Sequence, residues 1–231
     1  MNMKEHFGEW EPLLAPFLYS EEFKKIGITL NKQHKAGIEV TPRFSDMFRA
    51  FKLCSPFKMH TIFIGQDSYY QKISNNLYVA DGLAFSSRYS KSCPKSLQYI
   101  YQAIDREIYD GENTSLTDTF DLEKWAIQGI LLTNCSLSTT TGKAGAHMNL
   151  WQPFTEYLLK TINKHRDSLC VVLVGKDAQK YESLLTNPTY KILKCVHPAY
   201  AVYKKIEWDS NNVFKELVKF QRKQNNISIK W

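Results

Sequence analysis

Apolar residues along the chain fall into two periods. Three short runs without alternation, at 61–64 (Thr-Ile-Phe-Ile), 129–133 (Gly-Ile-Leu-Leu-Thr) and 169–174 (Leu-Cys-Val-Val-Leu-Val), read as buried strands, and 190–196 reads as a fourth strand. Between them the spacing changes to that of helices. Trp10, Leu13, Leu14 and Leu18 open a pair of short helices over 10–30, and Phe44, Met47, Phe48 and Phe51 make an i, i+3, i+4, i+7 stripe after Thr41-Pro42. Pro94 is expected at the first position of a helix whose buried side carries Leu97, Ile100, Tyr101, Ile104 and Ile108. Leu122, Trp125 and Ala126 mark a short helix, Leu150, Phe154, Leu158 and Ile162 a longer one, and 176–185 another. The last helix begins near Asn211-Asn212, a cap, and uses Val213, Phe214, Leu217 and Val218. Residues 71–81 read as an exposed polar excursion, and 111–115 and 136–145 as loops.

Strands alternating with helices predict an α/β fold: a central four-stranded, mainly parallel sheet flanked by helices on both faces. No repeat or shift of composition marks a linker, so residues 1–231 are expected to form one domain, long enough to bury a sizeable core. No apolar run spans a membrane and the amino end does not lead into a signal-peptide core, which predicts an intracellular, cytoplasmic protein. Five scattered cysteines, without a Cys-x-x-Cys pair or a His/Cys cluster, fit free thiols and predict no metal. A net charge of +7 favours a polyanionic partner, though a solvated basic face would carry the same charge.

Three of the expected strands run into Asp67, Asn134 and His197. Ligands collect at the carboxyl ends of parallel strands, so this topology brings a carboxylate, an amide and an imidazole to one rim. Together they supply a base or cation stabiliser, a two-sided hydrogen-bond reader and a donor for developing negative charge. Singly, each is more often structural: Asp67 or Asn134 capping a turn, His197 satisfying a carbonyl.

Around these positions the chain resembles the uracil-DNA glycosylases. Gly65-Gln66-Asp67-Ser68-Tyr69-Tyr70 is similar to that family's water-activating Gly-Gln-Asp-Pro-Tyr-His, and Gly82-Leu83-Ala84-Phe85-Ser86 matches its next segment. Pro94-Lys95-Ser96-Leu97 resembles Pro-Pro-Ser-Leu, Leu131-Leu132-Thr133-Asn134 resembles Leu-Leu-Leu-Asn, and His197-Pro198-Ala199-Tyr200-Ala201 stands where the family has His-Pro-Ser-Pro-Leu. The closing Ile227-Ser228-Ile229-Lys230-Trp231 is similar too. The resemblance implies a monofunctional DNA glycosylase of base excision repair that flips a pyrimidine out of DNA, hydrolyses its N-glycosidic bond without a cofactor and leaves an abasic site. It implies catalytic roles for Asp67 and His197 and base contacts from Gln66, Tyr69, Phe85 and Asn134. The DNA contacts it implies fall at Ser96, Ala199, Tyr200 and Ala201. A monomer acting on single- or double-stranded DNA is expected.

The departures matter for substrate. Ser68 and Tyr70 replace the loop proline and histidine, which predicts a more flexible segment. Ala199 lacks a phosphate-gripping hydroxyl, Ala201 replaces the intercalating leucine, and 71–81 is longer than the usual connection. Uracil is the favoured base, with Tyr200 or Tyr203 as another wedge or with single-stranded DNA preferred. The alternatives are a C5-modified pyrimidine, as in phage DNA, against which Tyr69 argues by crowding C5, and a catalytically weak DNA-binding module. A small-molecule α/β enzyme is disfavoured by the positive charge and the lack of a Gly-rich phosphate loop or nucleophile elbow.

Overall fold

All four expected strands become parallel neighbours in one sheet of the computed structural model, which describes residues 2–112 and 118–231. In chain order, the amino-terminal elements are helices α1 (Met3–Phe7), α2 (Glu11–Leu18) and α3 (Glu21–Lys35), strand β1 (Val40–Thr41) and helix α4 (Arg49–Leu53). Strands β2 (Thr61–Asp67), β3 (Lys72–Ser74) and β4 (Leu77–Tyr78) follow, then helices α5 (Lys95–Ile108) and α6 (Glu123–Ala126). Next come β5 (Ile130–Ser136), β6 (Thr139–Thr140), α7 (Met148–His165), β7 (Cys170–Val174), α8 (Lys176–Gln179), β8 (Lys191–Cys195), α9 (Pro198–Lys204) and α10 (Val213–Phe220).

The main sheet has the order β5-β2-β7-β8, every pair parallel. Ile62, Phe63 and Ile64 of β2 and all of β7 are buried, as strands covered on both faces must be. Helix α7 packs on β5, and α10 packs on β7 and β8. The amino-terminal helices close one end through an aromatic cluster in which Phe7 meets Phe48 at 4.6 Å and Phe51 at 5.3 Å between ring centroids. Trp231 seals the other side edge-on against Trp125 and Phe214. Among the described residues no helix is long and apolar enough to cross a membrane.

Several local expectations are corrected. The helix expected over Phe44 to Phe51 forms only from Arg49, and Phe44 is 50% exposed. Its first half stays in turns because Asp46 is held by the guanidiniums of Arg43 and Arg88, while Gly82 passes so close that a Cβ there would lie 1.8 Å from the Asp46 carbonyl. Residues 71–76 are exposed as expected, but the segment is ordered, with β3 and β4 paired as an antiparallel hairpin, and it ends at the fully buried Asp81. Pro94 sits one place earlier than expected, at the N-cap of α5. The helix expected at 176–185 breaks after Gln179 into a 3-10 turn at Glu182–Leu184. Asn212 is the N-cap of α10 but its side chain caps nothing; the Glu107 carboxylate of α5 accepts from the Phe214 and Lys215 N–H groups instead. Of the loop expected at 111–115, residues 113–115 lie outside the described residues.

Candidate active site

The strand ends make the site. Strand β2 runs three residues beyond its apolar core, so Asp67 is its last residue and pairs with Ser136, while Gly65 lies opposite Asn134. A Cβ on Gly65 would stand 2.4 Å from Asn134 Oδ1 and 3.2 Å from Phe85 Cζ. Only hydrogen at this position leaves room for the amide and the ring. Gly175, just after β7 at φ +86°, does the same for His197: a Cβ there would lie 2.9 Å from His197 Cβ. Beyond these ends opens a cleft of about 670 Å³ lined by Gln66, Asp67, Tyr69, Phe85, Asn134 and His197, with Ser96, Ala199 and Tyr203 also on its walls.

Phe85 is buried, at φ +65°, a left-handed conformation that costs a bulky residue on the order of 1–3 kcal/mol. Its backbone carbonyl accepts from the Tyr69 hydroxyl at 3.2 Å, and its ring centroid is 5.7 Å from that of His197. The Tyr69 phenol is pushed up by burial and stays protonated.

Burial raises the Asp67 carboxyl above the ordinary carboxylate value, against the pull of the Gly145 N–H that donates to its Oδ2. His197 is moved the other way, with burial lowering its imidazole to about 4. Because the Ala199 N–H donates to His197 Nδ1 at 3.1 Å, that nitrogen carries no proton and the neutral ring carries its hydrogen on Nε2. The site therefore combines a partly buried carboxylate, a neutral N–H donor, an amide and an aromatic wall.

The segment carrying Asp67 is tied at three points, contrary to the flexibility expected from Ser68. The Ser68 hydroxyl donates to Leu137 O at 3.1 Å, Thr41 Oγ1 donates to Tyr69 O at 3.0 Å, and the Gly142 N–H donates to Tyr70 O at 2.9 Å. Ala201 is also corrected: it is 1% exposed, on the inner side of α9, where it cannot reach DNA. On the outer side Tyr200 is 53% and Tyr203 80% exposed, and only Tyr203 borders the cleft. Ser96 lines the cleft although it is largely buried. The sequence reading missed Gly145, Thr41 and Gly175, which hold or make room for the named side chains; the glycines in the polar loop and at the strand end were the available signal.

A family model described as "Uracil DNA glycosylase superfamily" matches residues 51–220. A uracil-DNA glycosylase of Coxiella burnetii (strain CbuG_Q212) is 34% identical over 191 residues, 82% of this chain and 80% of that protein. One from Bacillus anthracis (strain CDC 684 / NRRL 3495) is 30% identical over 193 residues, 83% and 81% of the two chains. Among solved structures, mimivirus uracil-DNA glycosylase superposes with a TM-score of 0.87 at 21% identity, covering 100% of this chain and 89% of that one. That likeness extends the fold assignment to the whole chain.

The assignment of the His197 tautomer is open to ¹⁵N NMR. The ring should remain neutral, protonated on Nε2, from pH 8 down to about 4; titration near the ordinary histidine value of about 6.5 would contradict it.

Proposed function

This chain belongs to the uracil-DNA glycosylase superfamily, and from that premise we propose that Asp67, Asn134, His197 and Phe85 carry its reaction. The protein is a DNA N-glycosylase that removes uracil by hydrolysing the bond between base and deoxyribose. The observation that carries the assignment of roles is the gathering of a partly buried carboxylate, a neutral Nε2–H imidazole and an amide around one cleft walled by Phe85.

As the glycosidic bond breaks, the sugar gains positive charge and the base negative charge. Asp67, held by the Gly145 N–H, faces the sugar, stabilises its oxocarbenium character and orients the attacking water. His197 is too weak a base to be cationic at neutral pH, so it lends a hydrogen bond to the base O2. One such buried donor aimed at developing charge typically lowers a barrier by about 2.7–4 kcal/mol. Asn134 pairs with the N3 and O4 edge, and Gln66 adds a polar contact within the cleft. Tyr69, fixed by its bond to the Phe85 carbonyl, crowds C5 and selects uracil over pyrimidines with a bulky C5 group.

Extruding a nucleotide costs a few kcal/mol, and stacking on one aromatic returns about 1–3 kcal/mol. Phe85 supplies the stacking, and the net charge of +7, with Lys95 and Ser96 at the cleft wall, supplies attraction to phosphate. With Ala201 buried, Tyr203 takes the place of a wedge, filling the gap left in the duplex.

Two experiments test these roles, both on end-labelled uracil oligonucleotides cleaved by alkali at abasic sites. Asp67→Asn should lower turnover by about 10²–10⁴-fold while DNA binding persists; turnover near that of the unmodified protein would remove Asp67 from the mechanism. Tyr203→Ala should slow duplex substrates by about tenfold and single strands by about twofold or less. Equal losses on the two would exclude a wedge role.

A further inference from the structure

Phe85 does not hold its left-handed backbone unaided. Asp81, fully buried four residues earlier, sends both carboxylate oxygens into the turn that carries the ring. Oδ1 accepts from the Leu83 N–H at 3.1 Å; Oδ2 accepts from the Ser86 hydroxyl at 2.7 Å and the Arg88 N–H at 2.9 Å. These three donors bracket Phe85 in sequence. Arg49, itself buried, stands behind the carboxylate with Nη1 3.0 Å from Oδ2. A buried carboxylate is sustained by such an array of donors plus one cation, and here the array bends the backbone into a shape an aromatic residue otherwise avoids. The Ala84 N–H, bonded to Leu132 O at 3.1 Å, fastens the same turn to β5 two residues before Asn134.

We propose that Asp81 is a positioning residue for base recognition: its carboxylate, backed by Arg49, locks the 81–88 turn so that the Phe85 ring stands in the cleft against Gly65, ready to receive a flipped pyrimidine. The inference rests on the reading of Phe85 as the stacking face. Asp81 does not line the cleft, so its effect passes through the turn it holds, chiefly through the Phe85 ring that the turn places. It follows that loss of the Asp81 carboxylate and loss of the Phe85 ring should not add.

The test is a double-mutant cycle read by two quantities: inhibition by free uracil, and the split between KM and kcat on a single-stranded uracil oligonucleotide. Asp81→Asn keeps the size of the side chain but loses one acceptor and the charge that faces Arg49. It should raise the inhibition constant of uracil and the KM by about tenfold, the loss of one weakened stacking contact, with kcat changed by about threefold or less. Phe85→Ala should raise both at least as much, and Asp81→Asn in the Phe85→Ala background should add nothing further. Should Asp81→Asn fail to fold by circular dichroism, Ser86→Ala removes one of the three donors and should show a smaller rise with the same lack of additivity. Unchanged uracil inhibition in the folded variant, or effects that multiply across the cycle, would overturn the proposal and leave Asp81 a purely structural ion-pair partner. An unmodified protein that neither releases uracil nor is inhibited by it would instead overturn the reading of the cleft itself.

Discussion

The closeness of β2 and β5 at Gly65 is the constraint from which the site follows. Parallel pairing places Gly65 opposite Asn134, and the amide oxygen occupies the space that any side chain at 65 would fill. Parallel strands send all their carboxyl ends to one edge, so the register that seats Asn134 also places Asp67 two residues further along β2. On the other side of β2, β7 is followed by Gly175, whose missing side chain admits His197. The glycines at 65 and 175 turn a packed sheet edge into a cleft, and the apolar strands beneath supply the rigidity that keeps it open.

One environment acts in opposite directions on the two titrating groups. Withdrawal from water favours the neutral form of each, raising Asp67 and lowering His197. For the imidazole neutrality is the useful state, since a ring with its proton on Nε2 can donate to a developing oxyanion without having to lose a charge. For the carboxylate it is a cost, which the Gly145 N–H offsets. The polar loop between β5 and α7 thus holds the carboxylate at the rim. Its Gly142 and Gly145, both at positive φ, aim their N–H groups at the Tyr70 carbonyl and the Asp67 carboxylate.

What the sequence revealed follows from the range of the forces involved. Three of the four sheet strands were legible because burial on both faces demands unbroken apolar runs, whereas β8, at the sheet edge, carries Lys191 and Lys194 and is only partly buried. The rim positions of Asp67, Asn134 and His197 were legible because each lies at or just beyond an expected strand. The α4 helix was misread because its apolar spacing is satisfied from turns as well as from helix, once Asp46 and its two arginines hold the chain. The Glu107 cap on α10 and the ties on the 68–70 segment are made by residues distant in sequence, which no local pattern displays. Ala201 shows the limit of matching motifs by position. Its place in the string is that of a wedge, but the rotation of α9 turns it inward and leaves Tyr203 outside.

The central claim is spatial: acid, amide and imidazole surround one pyrimidine that lies on Phe85. A crystal structure of the protein soaked with free uracil tests it most directly. The base is expected against the Phe85 ring, with its N3 and O4 on the Asn134 amide and its O2 facing His197 Nε2. Uracil bound elsewhere, or seated in the cleft with O2 turned away from His197, would contradict it.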